Sequence, residues 1–164
     1  MLEVERPWRD LEKYREDRLA EALYEAELAE RFLKNGLLRN AAAKAFQAVK
    51  AYLASEAARR REVVAEAYPG VKSTRRGRKV ARADWIIAVM PTNRMKEVAQ
   101  LLGDRELELA VEKALDLHEF QYNGLDPYGD VARYASREAV EKDIADVVEF
   151  VRRRVGQQPH AGAG

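Results

Sequence analysis

Apolar side chains recur at three- and four-residue steps along most of this chain, and a run of that spacing leaves little but α-helix open to it. Behind Pro7, whose missing N–H costs nothing in a first helical turn, Trp8, Leu11, Leu19, Ala22, Leu23, Ala26, Ala29 and Leu33 repeat on one face. The spacing predicts a first helix over residues 8–34. Asn35-Gly36 suits a left-handed C-terminal cap, and the pattern restarts at once with Leu38, Ala42, Ala45, Val49, Tyr52 and Leu53. So short a link makes the two an antiparallel helical hairpin. The second helix is expected over 37–67, stopping before Tyr68-Pro69-Gly70, because the residue before a proline is pushed out of the helical region.

Beyond that point the pattern breaks into shorter pieces. Residues 70–81 read as a loop; Asp84 is placed to cap a short helix that Pro91 interrupts, and Thr92 or Asn93 to cap another ending at Gly103. Asp104 should cap a helix over 105–122 carrying Leu107, Val111, Ala114, Leu115, His118 and Tyr122 on one face, which Asn123-Gly124 ends. Residues 125–130 are turn formers. Ser136, with Glu138 and Ala139, opens a last helix striped by Val140, Ile144, Val147, Val148, Val151 and Val155. A chain of 164 residues serves about one core. The expectation is an all-α protein: one domain over 1–155, built as a mostly up-and-down bundle of four long helices with one or two short extra ones, and a disordered tail over 156–164.

Composition removes several chemistries. Without cysteine there are no disulfides, thiolate-zinc sites or cysteine nucleophiles. The longest apolar run, Trp85 to Pro91, is far below the roughly 20 residues that cross a bilayer, and the charged start Met1-Leu2-Glu3-Val4-Glu5-Arg6 lacks a signal-peptide core. A soluble, cytoplasmic protein with no membrane association is expected. Charged residues make up 35% of the chain, and asparagine (four) and glutamine (five) are scarce, a balance that suits ion-pair networks in a thermophile.

The net charge of +1 hides an uneven distribution. Residues 1–70 hold 13 basic and 13 acidic groups, residues 71–103 hold 8 and 2, and residues 104–164 hold 8 and 13. Lys72, Arg75, Arg76, Arg78, Lys79 and Arg82 stand around Gly77 with no acid among them. No other stretch concentrates charge so strongly.

The residues from Ala26 to Ala54 form an acidic helix, a short glycine-bearing turn, and an alanine-rich helix leading to a lysine and small residues; this resembles the opening hairpin of HEPN-type domains. Downstream, Ala114-Leu115-Asp116-Leu117-His118-Glu119-Phe120-Gln121-Tyr122-Asn123-Gly124 resembles the leucine-histidine, aromatic, glycine signature of the archaeal PaREP family, a branch of that superfamily. The resemblance spans residues 20–125. It implies a helical bundle that dimerises through its helices. It also implies one of three roles: metal-independent RNA cleavage, RNA or nucleotide binding, or companionship to a nucleotidyltransferase in a toxin–antitoxin-like pair. Catalytic HEPN members carry an arginine followed four to six residues later by histidine. The histidines here are His118 and His160; Arg154 precedes His160 at a formally fitting distance, but Gly156 and Pro159 intervene, so the pair is read as coincidence and catalysis as unsupported.

Each candidate group has two readings. His118 is either a proton-transfer group or nucleotide contact, the weak catalytic candidate of the chain, or a packing histidine with a satisfied ring. Asp116, Glu119, Asp126 and Asp130 would gather around a metal with His118, or form a solvated acidic face; the second is preferred, so no metal and no cofactor are expected. Tyr52, Tyr122, Tyr128 and Tyr134 either line a pocket or pack with hydroxyls toward water. Arg59-Arg60-Arg61 and Arg152-Arg153-Arg154 read as helix-end charges set against the helix dipole. The six cations of 72–82 either bind phosphates, with Trp85 nearby for stacking, or form a loop that is solvated or pairs with the acidic C-terminal helices. The leading expectation is a non-catalytic HEPN-like homodimer that binds RNA or nucleotide phosphates through Lys72, Arg75, Arg76, Arg78, Lys79 and Arg82. The alternatives are a protein partner of a nucleotidyltransferase and a divergent ribonuclease acting through His118.

Overall fold

The computed structural model describes residues 3–130 and 132–158. The chain is mostly helical, with four helices of 19 to 24 residues and three short ones among the described residues. No helix among them is long and apolar enough to cross a membrane.

Helix α1 runs Leu11–Lys34, three residues later than the apolar spacing suggested. Residues 7–9 form a turn instead, and the Asp10 side chain accepts the Lys13 N–H at 3.0 Å, fixing the first turn. At the other end Gly36, at φ +73°, donates to the Leu33 carbonyl while Leu37 donates to Phe32, the paired bonds of a Schellman stop. Helix α2, Leu38–Arg59, is the centre of the molecule: 14 of its 22 residues are buried, and α1, α6 and α7 all pack on it. Alanine makes this arrangement possible. Ala41, Ala45, Ala48 and Ala51 on α2 and Ala22, Ala26 and Ala29 on α1 are all fully buried, so the two helices approach closely without bulky side chains between them.

The expected 37–67 helix is in fact two. Arg60 leaves helical geometry (φ −118°, ψ 47°), and α3, Arg61–Ala67, sets off in its own right. Adjacent arginines are drawn to different elements here: Arg60 donates to the Leu102 carbonyl at 2.5 Å, and Arg61 grips Asp84 through two hydrogen bonds.

Residues 70–81 are not the loop expected from sequence. Strands β1, Val71–Ser73, and β2, Lys79–Ala81, pair antiparallel in the register Val71 with Ala81, Lys72 with Val80 and Ser73 with Lys79. Helix α4, Arg82–Val89, follows directly, and α5, Met95–Leu102, comes after the turn at Pro91 and a single 3-10 turn over Thr92–Arg94. Neither Asp84, Thr92 nor Asn93 caps these helices by side chain. Asp84 sits inside the first turn of α4, spent on Arg61.

The last two helices start where their caps predict. Asp104 accepts the Leu107 N–H at 3.1 Å to open α6, Arg105–Asn123, and Ser136 accepts that of Ala139 to open α7, Arg137–Gly156. The core face of α6 is Leu107, Ala110, Val111, Ala114, Leu117 and Phe120, so His118 and Tyr122 lie beside the core stripe and not on it. Of the stretch expected as a tail, Gly156 ends α7, Gln157 caps it, and Gln158 is held between Arg15 and Glu56; residues 159–164, including His160, lie outside the described residues.

Candidate nucleic-acid interface

The hairpin that carries the basic run is built by its turn. Thr74 and Arg78 pair through the Thr74 N–H at 2.8 Å, Gly77 donates back to Thr74 at 2.9 Å, and Gly77 takes φ +78°. This three-residue connection, a type I turn closed by a left-handed glycine, places Arg75 and Arg76 at the tip. Alternation then sorts the strands. Val80 is buried and its cross-strand partner Lys72 is half-buried, while Ser73 and Lys79 face away. The Lys72 ammonium lies 4.6 Å from the centroid of the Trp85 ring, over its face.

Five of the six predicted cations, Arg75, Arg76, Arg78, Lys79 and Arg82, are exposed, and among the described residues none of the six forms an ion pair. The alternative, in which the run pairs with the acidic C-terminal helices of its own chain, is not what the structure forms. Most carboxylates of those helices are paired with other cations. The hairpin base is closed by the Arg82 N–H donating to Gly70 at 2.9 Å, and Arg61, with Nε 2.6 Å from Asp84, ties α4 to α3 beneath it. Asp84 is buried, so this pair fixes the orientation of the whole basic projection. Spacing gave no sign of it, since 23 residues separate the two partners.

The remaining candidates are dispersed. His118 stacks on Phe46 of α2 at 4.2 Å between centroids, with Tyr122 edge-on at 5.3 Å. Its Nδ1 is buried without a hydrogen-bond partner, and burial, helped by the charge of Lys50, holds the imidazole below its usual pKa. Asp116 and Glu119 are bridged by Arg133 at 3.1 and 3.7 Å. The Asp126 carboxylate accepts the N–H groups of Gly129 and Ala132, ordering the loop after α6. Among the described residues no cluster of three or more His, Asp or Glu side chains is placed to hold a metal. The four tyrosines do not converge: Tyr52 is buried beside Arg154, Tyr134 donates to Asp143 at 2.6 Å, and Tyr122 and Tyr128 are exposed.

The two arginine triplets are more than helix-end charges. Arg154 makes a bidentate pair with Asp104, at 2.7 and 2.9 Å, and reaches Glu106 at 3.1 Å; Arg153 also binds Glu106, and Arg152 binds Glu30. Asp104 is therefore at once the cap of α6 and the anchor of α7, with its carboxyl held below the usual range chiefly by Arg154.

The family model for the archaeal PaREP1/PaREP8 family matches residues 17–145. No curated protein and no solved structure matches the chain.

Proposed function

We propose that this chain, which belongs to the archaeal PaREP1/PaREP8 family, is a HEPN-like bundle of four long helices that binds RNA through the hairpin between the short helices α3 and α4. One observation carries the reading: six cations on a projecting two-stranded hairpin, five of them exposed, with no ion-pair partner among the described residues. A protein gains little by leaving such charges unpaired on a short turn, whereas cations that neutralise RNA phosphates release the counterions condensed on the RNA and gain a favourable entropy. Trp85, under Lys72, adds a flat face on which a base can stack once the ammonium moves onto a phosphate. Binding of this kind reads the backbone, so tight sequence preference is not expected.

The role assigned to the hairpin is binding. The reading as a homodimer is part of the same proposal, supported by a cleft between α1 and α7 in which apolar Leu33, Ala145 and Val148 are flanked by charged Glu30, Glu149, Arg152 and Arg153. The abundance of interhelical ion pairs supports a thermophilic setting.

The test is titration of a fluorescent single-stranded RNA with the wild-type protein and with the variant in which all six cations become alanine. Affinity should fall with salt at a logarithmic slope of about −4 if all six engage phosphates. The variant should keep its helical circular dichroism and lose binding. Salt-independent binding, or full binding by the variant, refutes the proposal.

A further inference from the structure

Helices α1 and α6 both pack on α2, and toward the N-terminal end of α2 a cavity of about 480 Å³ opens where the three meet. That size lies within the range of about 300–1,000 Å³ that suits small-molecule ligands. All three helices line it: Phe32 from α1, Gln121 from α6, and Arg39, Asn40, Ala43 and Lys44 from α2. The four α2 residues stand at i, i+1, i+4 and i+5, a spacing that a helix places on one side.

The charges of this wall do not cancel. Among the described residues no acidic side chain lines the cavity, and its two cations are differently placed. Lys44 is half-buried, with its ammonium 3.3 Å from a carboxylate oxygen of Glu25, so that one charge offsets the other. Arg39 is exposed and, among the described residues, makes neither an ion pair nor a hydrogen bond. One positive charge is left over.

Arg39 is positioned all the same. Its guanidinium lies against Gly124, the buried glycine that caps the end of α6. A Cβ on Gly124 would overlap Nη2 and stand 3.2 Å from Cζ, so the absent side chain is the space that the planar group occupies. A fork already packed against backbone has less freedom to lose when a ligand arrives.

The neutral groups narrow the ligand further. Asn40 and Gln121 each bring an amide with two N–H donors and a carbonyl acceptor, and among the described residues neither side chain makes a hydrogen bond. Amides of this kind can serve both the proton and the oxygen of a hydroxyl. Phe32, half-buried, adds an aromatic wall suited to C–H surface. A single spare charge matches a carboxylate, which a guanidinium binds through two parallel hydrogen bonds, and leaves a dianionic phosphate half unanswered.

We propose that the α1/α2/α6 cavity is a binding site for a monoanionic sugar acid, with the carboxylate on Arg39, hydroxyls on Asn40 and Gln121, and the C–H face against Phe32. The site is separate from the basic hairpin and does not rest on the RNA reading.

Calorimetric titrations with D-glucuronate, D-glucose and inorganic phosphate test it on three full-chain proteins: wild type, Arg39→Gln, and the six-alanine hairpin variant. Wild type and the hairpin variant should bind glucuronate with similar, millimolar affinity, and glucose and phosphate about tenfold more weakly or less. Arg39→Gln should weaken glucuronate binding about tenfold or more. Since Arg39 holds no other group of the described fold, this variant should melt as wild type does, so that lost binding is not lost structure. On unmutated protein, the Arg39 Nε–H resonance and the side-chain amide resonances of Asn40 and Gln121 should shift as glucuronate saturates. Absence of saturable glucuronate binding up to about 50 mM in the wild type, unchanged affinity in Arg39→Gln, or glucose or phosphate binding as tightly as glucuronate overturns the site.

Discussion

The basic hairpin and the acidic C-terminal helices are both rich in charge and put it to opposite use. On α6 and α7 nearly every strong carboxylate cluster is answered: Asp104 and Glu106 by Arg153 and Arg154, Asp143 and Asp146 by Lys113, Asp146 also by Lys142. On the hairpin no cation is answered among the described residues except Lys72, and its partner is an aromatic face. A segment's net sign therefore says little about its role. Whether the charges already have partners decides if they hold the fold or await a ligand.

The comparison can be broken in several ways. The largest effect expected is on binding: raising salt from about 50 to about 200 mM should cost the hairpin two to three powers of ten in RNA affinity, while the melting temperature moves by comparison little. Fluorescence titration alongside thermal melts measures both. Next comes Arg154→Ala, which strips the paired charge from the cap of α6 and should cost about 2 kcal/mol in urea denaturation. Asp84→Asn should cost about 1–2 kcal/mol and loosen the hairpin, seen as faster amide exchange at Val80 and Ala81. Lowering the pH is a gentler probe. Asp104 and Asp146 have carboxyls depressed below 3.8 by their cationic partners, so the stability they lend is present above that value and drains away as pH falls through their folded-state pKa values. From these two carboxyls the urea midpoint should hold above about pH 5 and drop below about pH 4, while His118, kept neutral by burial, should begin a decline already as pH falls below its ordinary value of 6.5. The smallest effect should come from Arg75→Ala or Arg76→Ala, within about 0.5 kcal/mol of wild-type stability. A clear destabilisation there would mean that the tip has partners after all.

Much of the helical layout was legible because periodicity and caps are local. Asp104 and Ser136 start their helices as their residue types require, Asn35-Gly36 stops α1, and the apolar stripe of α7 is buried as spaced. The hairpin was missed for an equally local reason: two three-residue strands are too short to show alternation, and the cue present, a glycine closing a tight arginine turn, was outweighed by the run of charge around it. The break at Arg60 and the offset of His118 from the core stripe were illegible, since each depends on a group from another helix.

The chain's own order of residues settled that it would be helical, where most helices begin, and that its cations would crowd into one short stretch, because these follow from neighbours a few bonds away. Which charges would be neutralised was settled only when the chain folded. Arg61 meets Asp84, and Arg154 meets Asp104, across separations that no local spacing encodes. The hairpin cations are left without a carboxylate among the described residues for the same reason: pairing depends on distance in space, and distance in space is a property of the packed helices.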